Sequence, residues 1–193
     1  MKILAINCSP RKKQANSYQY INILKKYLAC DYYQINNKNF YFNEIKEYDH
    51  IILVLPLYAD SLPSQLLNFL ETNKKELNNK NISILINCGF YEYKHNNVAL
   101  LILNKIAKEY NFKIKNIFQI ATGEGILSTP FKFLIYFKAY LFANAIKKNK
   151  EKKFKTRMPL TKKLFILGSN NYWHKLAKKN NCPKEALNKM DFE

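Results

Sequence analysis

The chain has 193 residues and a mass of 22.9 kDa, and 48% of its residues are hydrophobic and 24% are charged. This composition excludes a disordered tail, a collagen-like fibre and a disulfide-stapled miniprotein, and it allows one well-buried core. The net charge of +18 favours anionic partners, but only Arg11 and Arg157 carry the planar guanidinium preferred at phosphate sites, so the charge is a weak signal of function.

Five apolar runs predict the strands of a parallel sheet. Residues 2–7, 50–55 and 81–87 are continuous apolar segments, as expected of strands that are buried on both faces. Residues 31–35 predict a weaker edge strand, and residues 114–121 predict a fifth strand. Helical patterns separate these runs, and this alternation is typical of a doubly wound α/β fold with helices on both faces of the sheet.

Apolar residues recur at three- and four-residue spacing between the predicted strands. This spacing predicts helices over residues 17–28, 64–77 and 96–110. A fourth helix is expected to begin at Pro130, because proline is tolerated in a first helical turn, and to reach about residue 148.

We expect a single domain over residues 1–193, with a mostly helical C-terminal extension from about residue 160. Within this extension, residues 164–167 form an apolar run that is too short to show whether it is a helix or a strand. Residues 131–146 are also apolar, but they are fewer than the ~20 residues that span a bilayer and contain two lysines. We expect no membrane span and interpret this stretch as a helix packed against the protein or a second subunit, with an interfacial membrane helix as the alternative.

The cysteines and the start of the sequence indicate a reduced, cytoplasmic protein. The cysteines, at positions 8, 30, 88 and 182, form no C-x-x-C pair and lie near no paired histidines, so no metal site is expected. Met1 leads directly into the first predicted strand, without the charged leader and apolar stretch of a secretory signal.

Residues 147–163 carry nine basic residues against one acidic residue, Glu151. We interpret this segment as a solvated helix end followed by a surface loop. A nucleic-acid-binding patch is the alternative, but such patches usually combine several aromatic residues with more arginine, and here Phe154 is the only aromatic residue.

The loop after the first buried strand suits a phosphate. In an open parallel sheet, ligands bind at the carboxyl ends of the strands, so the loops after the buried strands are the candidate site. This first loop contains Ser9, Arg11, Asn16 and Ser17, followed by a helix whose N-terminal N–H groups attract anions. Its serines and asparagine could equally serve only to cap the turn and the helix.

The loops after the second and third buried strands suit a flat ring. The second loop combines stiff, apolar and aromatic residues, and the third combines a glycine that permits close approach of the backbone with an aromatic wall. These residues are Pro56, Leu57 and Tyr58 in the second loop, and Asn87, Cys88, Gly89 and Phe90 in the third. The three loops together predict a flat, phosphorylated ligand.

These loops resemble those of the flavodoxin-like, NAD(P)H-dependent FMN reductase superfamily, especially its bacterial NAD(P)H-dependent oxidoreductases. The resemblance rests on INCSPRKKQANSY at residues 6–18, YDHIILVLPLYADSLPSQLLNFLE at residues 48–71 and NCGFYEYKHNNVALLILNKIAKEYNF at residues 87–112, with a weaker echo in NNYWHKLAKKNNC at residues 170–182. It covers most of the chain in the expected order, and the segment at residues 48–71 is the most specific.

The resemblance implies a three-layer sandwich whose five parallel strands have the order 2-1-3-4-5. It implies a non-covalent FMN, with its phosphate on the polar residues of the first loop, its ring against Pro56, Leu57 and Tyr58, and the third loop at the ring's polar edge. Such enzymes pass a hydride from NADH or NADPH through the flavin to a small acceptor, and because the flavin performs this chemistry no catalytic acid or base is expected. A homodimer that uses the apolar helix at residues 131–146 is also implied.

Cys8 departs from the family pattern, which usually has glycine at this position. Weak FMN binding is expected if the position needs a positive φ or a close approach of the ligand. We interpret Cys8 as a small buried residue, with a reactive thiol near the phosphate site as the alternative. The iron-sulfur relatives carry a compact cysteine cluster, which the cysteine spacing of this chain excludes. His50 opens a strand and is interpreted as structural, whereas His95 follows the third loop and is either solvated or close to a substrate.

Two other functions are open from the sequence. The first is an electron carrier with the same fold, but such carriers are typically acidic, in contrast to the charge of +18. The second is a flavin-free module whose basic surface binds nucleic acid or acidic lipid.

Overall fold

A computed structural model of the chain describes residues 1–35 and 42–183, and its strands form one parallel sheet. The strands are β1 (Ile3–Asn7), β2 (Asp31–Gln34), β3 (His50–Pro56), β4 (Asn81–Asn87), β5 (Lys113–Ile120) and β6 (Lys152–Thr156). The α-helices are α1 (Asn16–Lys25), α2 (Ser64–Thr72), α3 (Lys74–Leu77), α4 (Asn96–Glu109), α5 (Gly123–Leu127), α6 (Lys132–Lys147) and α7 (Lys162–Lys179). Short 3₁₀ helices cover Lys12–Gln14, Asn43–Glu47 and Tyr93–His95.

The strand order in the sheet is β2-β1-β3-β4-β5-β6, and all neighbouring strands are parallel. The order predicted for the first five strands is confirmed. Asn7 pairs with Val54, and Pro56 pairs with Asn87, so β1, β3 and β4 end close to the same level. Because these three strands lie side by side in the middle of the sheet, the loops that follow them meet at one edge.

The prediction of five strands is wrong by one, because the basic segment contributes the edge strand β6. Phe154 lies against the rings of Phe118 and Phe142, with centroids 6.4 and 6.0 Å away, and Thr156 is buried. The other β6 residues are exposed lysines, as expected of a strand whose outer edge faces solvent. Residues 152–156 are therefore not part of a surface loop.

Helices cover both faces of the sheet. On one face α2, α3 and α4 bury an apolar cluster that includes Leu66, Phe69 and Leu103 together with alternate residues of β1, β3 and β4. On the other face α1 and α6 contact each other and the strands, and Phe118 of β5 packs against Phe142 of α6. The predicted three-layer α/β architecture is confirmed.

The helix predicted over residues 64–77 is interrupted at Asn73, whose side chain is fully buried. Its Nδ2 group donates to the carbonyl oxygen of Phe69 at 2.8 Å, and its Oδ1 atom accepts the backbone N–H of Phe42 at 2.9 Å. The amide therefore connects the end of α2 to the segment before β3. The fourth predicted helix, α6, begins at Lys132, two residues after Pro130.

The chain divides into two compact units, Met1–Met158 and Pro159–Glu193. The second unit contains α7, and the Thr161 hydroxyl accepts the N–H of Leu164 at the start of this helix. Residues 164–167 are helical, and the end of the predicted extension, residues 184–193, lies outside the described residues. None of the described helices is long and apolar enough to cross a bilayer.

Candidate functional site

A cavity lies at the carboxyl edge of the sheet, among the loops that follow β1, β3, β4 and β5. The empty space within it, counted together with the solvent at its open side, is about 470 Å³. Its lining residues are Ser9, Arg11, Ala15, Asn16, Ser17, Pro56, Leu57, Tyr58, Asn87, Cys88, Gly89 and Glu124. The structure thus brings together the residues nominated from the sequence, with the exception of Phe90.

Two side-chain amides hold the first loop in shape. Asn7, fully buried at the end of β1, donates to the carbonyl oxygen of Lys12 at 3.0 Å and accepts the N–H of Ser9 at 3.1 Å. Gln34, at the end of β2, donates to the carbonyl oxygens of Asn7 and Ser9 at 3.2 and 3.1 Å. Asn7 Nδ2 also donates to Gln34 Oε1 at 2.8 Å, so the two amides fix the loop from both sides.

One end of the cavity is built from hydroxyls and the start of a helix. Ser9 and Ser17 are each 1% exposed; the Ser9 hydroxyl accepts the backbone N–H of Arg11 at 3.3 Å, and Ser17 accepts an N–H of Asn87 at 3.3 Å. The residue before α1 is Ala15, whose side chain cannot cap the helix. The first-turn N–H groups of α1 and the guanidinium of Arg11 therefore make this end suitable for an anion.

The second loop supplies an apolar wall. Tyr58 and Ser61 exchange two backbone hydrogen bonds, of 3.2 and 2.8 Å, around Ala59 and Asp60. Both central residues have positive φ, 46° and 55°, as in a tight type I′ turn. This turn holds the Tyr58 ring, which is 40% exposed, at the mouth of the cavity beside Pro56 and Leu57.

The third loop leaves open space at Gly89. A Cβ added there would meet no atom within 4 Å, and Gly89 is one of the residues that line the cavity. Burial raises the pKa of the adjacent Cys88 thiol to about 11, so this thiol is neutral. Phe90, which was expected in the site, is 51% exposed and stacks on His95, with ring centroids 4.1 Å apart.

The short helix α5, which follows the loop after β5, adds Glu124, a residue not predicted from the sequence. Thr122 has a positive φ of 56°, and its N–H donates to the carbonyl oxygen of Phe90 at 2.7 Å. A Cβ at Gly123 would lie 3.2–3.3 Å from atoms of Tyr20, Asn87 and Cys88, so this position favours glycine. Glu124 could have been located from the topology of the sheet, because β5 ends at the same edge of the sheet as β1, β3 and β4.

Cys8 does not disturb the first loop. It is fully buried and is not among the residues with positive φ, and its N–H pairs with the carbonyl oxygen of Val54 at 2.9 Å. Burial raises the pKa of its thiol well above the usual value. Glycine is therefore not required for the backbone conformation here, and the interpretation of Cys8 as a small buried residue fits the structure.

The histidines have different surroundings. His50 is 2% exposed, at the opposite end of β3 from the cavity, with Nε2 2.8 Å from the Ser83 hydroxyl, as expected of a structural residue. His95 Nδ1 lies 3.3 Å from an Asp60 carboxylate oxygen, which connects the second loop to the segment after the third. Within residues 1–35 and 42–183, no three His, Cys, Asp or Glu side chains are grouped as metal ligands.

Comparison with known proteins identifies the family. A model of the flavodoxin domain matches residues 13–130, more than half of the chain. The chain belongs to the flavodoxin domain family. This family membership agrees with the parallel sheet and with the cavity at its carboxyl edge. No curated protein sequence matches significantly.

Solved structures with the flavodoxin-like fold resemble the chain at low sequence identity. The Trp repressor binding protein of Bacillus subtilis is 14% identical, with a TM-score of 0.60 over 73% of this chain and 97% of its own. An NADPH-quinone reductase of P. pentosaceus is 16% identical, with a TM-score of 0.59 over 74% and 98%. General stress protein 14 of Treponema denticola, solved with FMN, is 13% identical, with a TM-score of 0.58 over 78% and 100%. These likenesses establish the fold.

Proposed function

We propose that the chain binds FMN in this cavity and acts as an NAD(P)H-dependent oxidoreductase that reduces a small acceptor. FMN would supply the redox chemistry, and the protein would supply binding, orientation and electrostatics. The NADPH-quinone reductase and the FMN-bound stress protein among the structural neighbours support this proposal at the level of the fold.

The observation that carries the proposal is the two-sided construction of the cavity. One side has two buried hydroxyls, the N-terminus of α1 and Arg11, a donor set that fits a phosphate. The other side has Pro56, Leu57 and the ring of Tyr58, which fit a flat aromatic ring system. The open space at Gly89 leaves room for that ring.

In this proposal Ser9, Arg11, Asn16 and Ser17 hold the phosphate. We therefore expect Arg11→Ala and Ser17→Ala each to raise the dissociation constant for FMN about tenfold, because each loses a hydrogen bond to a charged group. Titration of the apoprotein with FMN, followed by flavin fluorescence, measures this constant. Lys148→Ala, which removes a positive charge after the end of α6, should bind FMN as the wild type does. If both site variants bind FMN with wild-type affinity, the assignment of these residues to the phosphate is wrong.

An anaerobic spectrum distinguishes a reductase from an electron carrier. Addition of NADPH or NADH to the FMN-loaded protein should bleach the flavin absorbance band within seconds, and a quinone should restore it. Tyr58→Ala should alter the flavin spectrum and slow this reduction, since the Tyr58 ring borders the proposed ring site. A retained flavin band that neither nucleotide bleaches would identify a carrier, and absence of a retained band would contradict FMN binding.

We further propose that the protein is a cytoplasmic homodimer. The cysteines are all free thiols, as expected in a reducing compartment. Three aromatic residues of α6, Phe133, Phe137 and Tyr140, are 60%, 55% and 47% exposed and recur at four- and three-residue spacing. They form one apolar stripe on α6, and such surfaces are commonly buried in the interfaces of oligomers.

A further inference from the structure

No residue of the basic segment at residues 147–163 lines the cavity, but the backbone around its single arginine is bonded to the loop after β5. Arg157 directly follows β6, at the carboxyl edge of the sheet. Its guanidinium carbon lies 4.2 Å from the ring centroid of Tyr91 and 5.7 Å from that of Tyr93. The Lys155 ammonium lies 5.7 Å from the Tyr93 ring, so two cations and two aromatic rings form one cluster.

The backbone on both sides of Arg157 is held by the loop after β5. The carbonyl oxygen of Thr156 accepts the N–H of Ala121 at 3.0 Å, and the N–H of Met158 donates to the Thr122 hydroxyl at 2.9 Å. Thr122 in turn donates its N–H to Phe90. The backbone around Arg157 is therefore attached to the loop after β5, which in turn contacts the third loop.

The cluster lies beside the cavity. Tyr91 is two residues from Gly89, which lines the cavity, so their Cα atoms are within about 7 Å of each other. Glu124, on the cavity wall, lies in α5, which directly follows the loop that holds the backbone around Arg157. A ligand that extends from the cavity past the third loop would reach the cluster.

The Arg157 side chain is arranged to bind an anion. It is half-buried, and its guanidinium lies over an aromatic ring, which leaves the N–H groups at its edge as donors. Among the described residues, no carboxylate lies within ion-pair distance of it. A planar guanidinium that has no acidic partner among the described residues is suited to a phosphate group.

We propose that Arg157, with Tyr91, Tyr93 and Lys155, forms a subsite for the phosphates of the adenylate half of the nicotinamide dinucleotide. This inference rests on the proposed function, because a dinucleotide whose nicotinamide reaches the flavin must place its adenylate outside the cavity. The tyrosine rings offer apolar surface to the nucleoside, and the two cations offer donors to its phosphates.

Calorimetric titration with adenosine 2′,5′-bisphosphate and adenosine 5′-monophosphate tests the subsite directly. We expect the wild type to bind the bisphosphate and Arg157→Ala to weaken that binding about tenfold. Arg157→Lys should bind with intermediate affinity, because it keeps the charge but loses the planar fork. Lys150→Ala is the matched control, since it removes a positive charge just before β6, at the opposite edge of the sheet, and should bind as the wild type does.

The two probes distinguish which phosphate is bound. Loss of affinity for the bisphosphate alone assigns Arg157 to the 2′-phosphate, and equal loss for both probes assigns it to the phosphate on the 5′ side. Binding that is unchanged in both Arg157 variants, or no binding of either probe by the wild type, would overturn the proposal. Circular dichroism and FMN titration of each variant report folding and the FMN site separately. A failure of FMN binding would therefore count against the proposed function, and a failure of the adenylate probes against the subsite.

Discussion

Gln34 shows how a residue outside the cavity can control binding within it. Its amide donates to the carbonyl oxygens of Asn7, Ser9 and Ile35, and its Oε1 atom accepts from Asn7. It does not line the cavity, yet these bonds fix the conformation of the loop that carries Ser9 and Arg11. We regard it as a positioning residue for the phosphate site.

We expect Gln34→Ala to raise the dissociation constant for FMN about fivefold, because the first loop would no longer be held in its binding conformation. The free energy of unfolding should fall by about 1–2 kcal/mol, since partly buried carbonyl groups lose their donors. Fluorescence titration and urea denaturation measure the two effects. Gln19→Ala, at an exposed position of α1, should change neither quantity. A stability loss with unchanged FMN affinity would show that Gln34 supports only the fold.

His50 predicts how the fold responds to acid. Its Nε2 atom lies 2.8 Å from the Ser83 hydroxyl, which also accepts a hydrogen bond from Asn116 at 3.2 Å. Burial, followed by the charge of Lys115, lowers the pKa of His50 from 6.5 to about 4. In the unfolded chain the imidazole protonates near its usual pKa, so acid favours the unfolded state.

We expect the His50 contribution to stability to be complete above pH 6.5 and to be lost as the pH falls to about 4. The total loss is about 3 kcal/mol, since each pKa unit is worth 1.36 kcal/mol. Urea denaturation of the wild type and of His50→Gln at several pH values between 7 and 4 measures this loss in the free energy of unfolding. The variant should show a shallower pH dependence, whereas His174→Gln should follow the wild type. Parallel curves for the wild type and His50→Gln would contradict this assignment.

At the scale of elements, burial on both faces decided which strands could be predicted. β1, β3 and β4 are nearly continuous apolar runs, because helices cover both of their faces. Among the described strands β6 has β5 as its single neighbour, and besides this backbone pairing only the half-buried Phe154 and the buried Thr156 anchor its side chains. Its lysines match the pattern of a surface loop as well as that of an edge strand.

The residues of the candidate site could likewise be predicted only where the strand before them is recognisable from the sequence. Ser9, Arg11, Pro56 and Gly89 could be nominated because they follow strands that are recognisable from the sequence. Glu124 could not, since it lies in α5, a five-residue helix with two glycines that reads as a turn. The network of Asn7 and Gln34 was also missed, because the pairing of β1 with β2 brings together residues 27 positions apart.

The apolar stripe on α6 leads to a prediction of assembly. Phe137→Lys would place a charge in the centre of the proposed interface, and burial of an unpaired charge is costly. We expect the wild type to elute as a dimer from a sizing column with light-scattering detection, and Phe137→Lys and Leu134→Lys to elute as monomers. Leu101→Lys, at a 68% exposed position of α4, is the matched control and should remain dimeric. If both α6 variants remain dimers, or if the wild type is a monomer, the proposed interface on α6 is contradicted.

At the scale of the whole molecule, 32 basic residues against 14 acidic ones create a positive field around the protein. Much of this charge is exposed lysine without an ion-pair partner among the described residues, so it acts at long range rather than through specific contacts. Such a field concentrates anionic ligands, and salt screens it as the Debye length falls from about 30 Å at 0.01 M to about 10 Å at 0.1 M.

The field should therefore affect the two substrates differently. We expect kcat/KM for NADPH, which is anionic, to fall on the order of tenfold between 10 and 200 mM salt, because electrostatic steering is lost. For a neutral quinone, kcat/KM should change little over the same range, which makes the quinone the internal control in steady-state assays. Arg157→Ala should lower the value for NADPH at every salt concentration without abolishing its salt dependence, because one side chain contributes little to a charge of +18. An equal salt response for NADPH and the quinone would mean that salt acts on the protein itself and that the basic surface does not steer the dinucleotide.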